Sequence, residues 1–109
     1  MNGTDNTKVI ISAIADIIVE HYAPQKIILF GSYVTGRQSE ESDIDLLIVK
    51  DTDKRPIERW IEVKRIMRDL KLTIPVSPLV YTEKELEERR AVKDFFIEEI
   101  LEKGEVLYG

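Results

Sequence analysis

The chain has 109 residues, 43% apolar and 34% charged, with a net charge of −5 and no cysteine. That length makes one domain, 1–109, able to bury roughly 65% of the surface its unfolded chain would expose, and the composition excludes a disordered polymer. An acidic chain without a Lys/Arg block argues against direct nucleic-acid contact, although a local basic patch is compatible with it. The lack of cysteine excludes disulfides and thiolate-bound zinc, and no apolar run reaches the ~20 residues of a membrane span, so a cytoplasmic protein is expected.

In chain order, Thr7 is placed to cap a helix running to about Tyr22, with Val9, Ile10, Ala13, Ile14, Ile17 and Ile18 as its apolar stripe and Pro24 closing it. "KIILF" reads as a buried strand ending at Gly31, followed by a short helical turn from Ser32 to about Gly36 and the polar loop "RQSEES". "DIDLLIV" is the second strand. Pro56 opens a helix through about Lys71, for which Ile57, Trp60, Ile61, Met67 and Leu70 give a core stripe. "IPVSPLVYT" is a third extended segment, and Pro75 and Pro78 within it predict an edge strand. Thr82, with Glu85 three residues on, caps one long final helix that carries Leu86, Val92, Phe95, Phe96, Ile100 and Leu101 to Gly104. "EVLY" adds a last short strand. The expected class is α/β (α+β), a small mixed sheet flanked by helices.

The chemistry concentrates in "FGSYVTGRQSEESDID". Alternation along a strand puts Asp43 and Asp45 on one face, their attachment points ~6.6 Å apart. Carboxylates so placed repel and desolvate each other, and a divalent cation between them relieves both penalties. Mg²⁺ suits hard oxygen ligands and uses one or two carboxylates together with substrate phosphates. Upstream, a strand entering Gly31 and then a helix start aims backbone N–H groups outward, and the Ser32 hydroxyl can add a hydrogen bond to a phosphate oxygen. A phosphate cradle followed by a metal clamp is the equipment of phosphoryl transfer.

"GS", a ten-residue spacer and "DID" before an apolar strand resemble the minimal nucleotidyltransferases of the polymerase-beta-like superfamily, and within it the MntA-type antitoxins of HEPN/MNT toxin–antitoxin modules. The leading helix, "KIILFGS", "SDIDLLIV", "VYTEKELE" and "ILEKGEVLYG" all fit that pattern. The resemblance implies transfer of AMP from ATP, with Mg²⁺ as cofactor, onto a hydroxyl. In the antitoxin branch that hydroxyl belongs to a tyrosine of a HEPN-type toxin, a ribonuclease that is thereby silenced. By position, Gly31 and Ser32 would hold the triphosphate and Asp43 and Asp45 the metal. The resemblance also places a third acid about five residues before the threonine that opens the last helix. Here that position is Ser77, which is carried over as a catalytic-site position although serine is no base near neutral pH.

Other residues stay open at this level. Tyr33 either stacks on a base or packs, and Arg37 either meets phosphate or faces solvent. His21, at a helix end, suits the dipole better than a metal. Since the catalytic unit fills the chain, the acceptor must bring its own binding energy, which points to a protein partner and a homo- or hetero-oligomer. Two alternatives remain: an antitoxin that neutralises its partner by occupancy alone, or a module that modifies a small molecule with the help of an acceptor-binding subunit.

Overall fold

A computed structural model describes residues 3–39 and 41–109. Its sheet has the order β3-β2-β1-β4, built from β1 (Lys26–Phe30), β2 (Ile44–Val49), β3 (Val76–Tyr81) and β4 (Glu105–Tyr108). β1 pairs antiparallel with β2 and with β4, while β2 and β3 are parallel, so the sheet is mixed as the sequence leads one to expect. The parallel pair needs a crossover, and α3 (Pro56–Met67) supplies it. Among the described residues no helix is long and apolar enough to cross a membrane.

Helix α1 (Gly3–Tyr22) begins a turn before Thr7, so Thr7 lies inside the helix instead of capping it. Its buried face is Ile11, Ile14, Ala15, Ile18 and Tyr22, whereas Val9 and Ala13 point to solvent, a stripe rotated from the expected one. Ala23 ends the helix at φ 51°, and Lys50 Nζ donates to the carbonyls of Tyr22 (2.6 Å) and Ala23 (3.3 Å), satisfying acceptors that a helix end leaves over. α1 and α3 cover one face of the sheet through Ile27, Leu29, Ile44, Leu46 and Ile48. Ile28, Leu47 and Val49 form the other face under Leu86, Ile97 and Ile100.

Two expectations for the later helices fail. In α3 the buried positions are Arg59, Val63 and Met67, while Ile57, Trp60 (44% exposed) and Ile61 face outward. The cause lies at the sheet edge: Arg59 Nη1 donates to the Val80 carbonyl at 3.2 Å and Lys64 Nζ to that of Val76 at 3.1 Å. These carbonyls point off β3, whose odd-numbered residues bond β2. Pro78 sits at the outward position between them, where its missing N–H costs no ladder bond, and the edge placement read from the prolines holds.

The long final helix is in fact two, α4 (Glu83–Ala91) and α5 (Phe95–Lys103). Lys93 turns the chain at φ 56°, and Asp94 restarts it by accepting hydrogen bonds from Phe96 N (3.0 Å) and Ile97 N (3.2 Å). Val92, Phe95 and Phe96 therefore stand exposed at the joint. The Thr82–Glu85 capping box forms in both directions, and α2 (Ser32–Thr35) ends at Gly36 as expected. Glu40, in the "RQSEES" loop, lies outside the described residues.

Candidate active site

The site grows from one row across the sheet. Phe30 of β1 pairs with Asp45 of β2, which pairs with Ser77 of β3. Every other position of β2 is buried; Asp45 alone is partly open. Asp43 falls one residue before β2 instead of within it, yet it stays beside Asp45. Burial, and after it the Asp43 charge, pushes the Asp45 carboxyl above the usual carboxylate range. Ser77 Oγ donates to Asp43 Oδ2 at 2.8 Å, so the residue at the third-acid position faces the acids and orients one of them.

Gly31 caps α2 with φ 81° and ψ −151°, a conformation that favours glycine. Space requires glycine as well, because a Cβ there would lie 2.4 Å from Asp45 Oδ2. The turn is closed by Val34 N and Thr35 N donating to Gly31 O at 3.0 and 3.2 Å. Tyr33 packs against the core and its hydroxyl donates to Ser42 O at 3.4 Å, pinning the chain just before Asp43. It is partly buried and also lines a second cavity together with Leu29 and Gln38. Arg37 is exposed on the loop beyond. The fold thus brings Gly31, Asp43, Asp45 and Ser77 together, with Ser32 at the start of α2, and leaves Tyr33 and Arg37 in other surroundings.

Sequence reasoning passed over one wall of the site. A cavity of about 260 Å³ opens beside Gly31 and Asp45, bounded by Phe30, Phe96 and Lys103. Phe96, which the sequence places only along the final helix, meets Phe30 edge to face, with ring centroids 5.7 Å apart and planes at 82°. Its signal was the Asp94 cap, which rotates α5 relative to α4.

Among the described residues no group of three or more His, Cys, Asp or Glu gathers to hold a metal. The donor set is the pair Asp43 and Asp45, hard oxygens whose mutual repulsion a divalent cation would relieve, and this fits Mg²⁺ provided substrate phosphates complete its shell.

A glycine-opened turn pressed against paired carboxylates on a small mixed sheet is the arrangement that nucleotidyl transfer calls for. The comparisons agree: residues 12–109 match the family model "Polymerase beta, Nucleotidyltransferase", and the chain belongs to that family. A Methanocaldococcus jannaschii protein that carries the name "Putative protein adenylyltransferase" is 38% identical over 84 residues, 77% of this chain and 78% of its own. A second protein of that name from the same organism is 35% identical over 80 residues, covering 72% and 74%. The crystal structure of a Sulfolobus solfataricus protein described as a "putative nucleotidyltransferase" superposes with a TM-score of 0.57 over 81% of each chain, and at 21% identity it speaks for the fold alone.

Proposed function

We propose that this nucleotidyltransferase transfers AMP from ATP to a tyrosine hydroxyl of a partner protein, with Asp43 and Asp45 holding Mg²⁺. The observation that carries the reading is the closeness of Gly31 to Asp45, which puts the phosphate-accepting turn and the acid pair within one side chain of each other. The names of the two archaeal relatives support a protein acceptor. Resemblance to the antitoxins of HEPN/MNT modules gives that partner its class, a HEPN-type toxin silenced by the modification.

When bound, the cation would neutralise charge on the polyphosphate. Gly31 lets the backbone approach the phosphates, and Ser32 Oγ offers them a donor. The acceptor oxygen bonds to the α-phosphorus as the bridge to the β-phosphate breaks. Pyrophosphate leaves with the electron pair, and the phenolic proton passes to solvent. Ser77 keeps Asp43 in place with its own hydrogen and so is not the base. A phenol, with pKa ≈ 10, is far more acidic than an aliphatic hydroxyl, so tyrosine is the acceptor that suffers least from the missing carboxylate.

The test incubates the chain with a HEPN-type partner, Mg²⁺ and ATP labelled at the α-phosphate. Label is expected on the partner, and none with the Asp43→Asn/Asp45→Asn double variant. Undiminished labelling by that variant would overturn the assignment. The Ser77–Asp43 bond favours one other reading, a binder that inhibits by occupancy. Inhibition of the partner without label would establish it.

A further inference from the structure

Resting on the transferase reading above, we infer that the cavity on the β1 side of the acids receives the nucleobase of the nucleotide, with the Phe96 ring as its stacking surface. Three observations converge on it. The first is rigidity. Phe96 lies in the first turn of α5, fixed by the Asp94 cap and by its edge-to-face contact with Phe30, yet it remains 51% exposed. An aromatic ring already held in place loses little freedom when a base stacks on it.

The second is size and position. About 260 Å³ is less than the ~300–1,000 Å³ of sites for drug-sized ligands and suits one planar ring system rather than a whole nucleotide. The cavity begins at Gly31, where the phosphates are received, so a nucleotide anchored there has its base within reach of Phe96. Ser77 and its bond to Asp43 lie on the other side of Asp45, towards β3, which leaves that side for the acceptor.

The third is the rim. Glu99 and Lys103 line the cavity and pair with each other at 3.6 Å, both about two-thirds exposed. An ion pair in such surroundings is weak and opens readily, leaving an acceptor and a donor for the edge of a base. Phe30 and Phe96 are the aromatics lining this cavity among the described residues, whereas Tyr33 lines a different cavity beside α1 and Trp60 a groove between α3 and α4.

The experiment measures binding of Mg·ATP and of Mg·tripolyphosphate, which has no base, to the native chain and to Phe96→Ala, Phe96→Leu and Phe96→Tyr. Phe96→Leu keeps an apolar contact on Phe30, so it separates loss of the aromatic face from loss of fold, and melting curves check each variant. Stacking on an aromatic side chain predicts a loss of about 5- to 150-fold in ATP affinity for Ala and Leu. Tripolyphosphate affinity should change by no more than about twofold, and Tyr should bind ATP like the native chain. Unchanged ATP affinity in Phe96→Ala, or equal loss of both ligands in folded Phe96→Leu, overturns the inference. So does unchanged ATP affinity with a raised KM for the partner, which would give the cavity to the acceptor ring. A native chain that binds tripolyphosphate as tightly as ATP defeats the inference alone. A native chain that binds neither defeats the transferase reading with it.

Discussion

Asp45 shows what a functional position costs at the scale of one residue. It sits in a strand otherwise buried throughout, and its carboxyl is harder to ionise than an ordinary aspartate because of burial and then the Asp43 charge. The folded-state pKa is raised, so the unfolded chain gives up this proton first. Stability therefore falls as pH rises from the ordinary aspartate range through the raised folded value. Asp45→Asn should raise the melting temperature at pH 7 by a few degrees, since ~1 kcal/mol moves a domain of this size by about 4–8 °C. Calorimetry at pH 3, where both states are largely protonated, should show most of the gain gone. The same variant should lose transfer, because stability at this position is exchanged for function.

One element-scale device ties α3, the edge of β3 and α4 together. Arg59, 5% exposed, donates from Nε to Lys54 O at 2.7 Å and grips Glu85 with both terminal nitrogens at 2.7 and 3.2 Å. Its hydrogen bond holds the Glu85 carboxyl below the usual range, so this stability is present above the ordinary glutamate pKa and fades as pH falls through the lower folded value. Glu85→Ala strands a buried guanidinium and removes half of the α4 capping box. It should cost about 2–3 kcal/mol in urea unfolding, the low side of buried-pair losses because Glu85 is 34% exposed.

The sequence makes half of this device legible. Thr82 and Glu85 stand at capping-box spacing, a local signal, but nothing local says that Arg59 turns inward while Trp60 turns out. That choice belongs to the outward carbonyls of Val76 and Val80, which exist only once β3 pairs with β2. The acid pair and the Gly31 turn were readable for the opposite reason: strand alternation and a glycine turn are short-range rules. Ser77 was reached only through the family resemblance, which marks a position a fixed distance before Thr82, and its bond to Asp43 adds the orientation that position lacks. Phe96 was missed because one continuous final helix gives it no particular neighbour, and only the break at Asp94 sets it against Phe30.

For the whole molecule, the size of the cavity limits what the site does with a free alcohol. The cavity at the acids is small, and the larger groove of about 720 Å³ opens instead between α3 and α4, past Trp60 and Pro78. A free alcohol thus brings little binding energy of its own. The chain alone, with Mg²⁺ and ATP, should transfer AMP to free tyrosine or glycerol, with release of pyrophosphate, barely above background, and partner protein should raise the rate by orders of magnitude. Equal rates with and without partner would contradict this.

The cationic hem along β3 bears on how such an encounter ends. With Arg59 and Lys64 fastened to two of its outer carbonyls and Pro78 offering no hydrogen, that border gives a visiting strand little to zip onto. Visitors on that flank must hold by side-chain fit, and what holds by fit alone can let go again without prising a ladder apart.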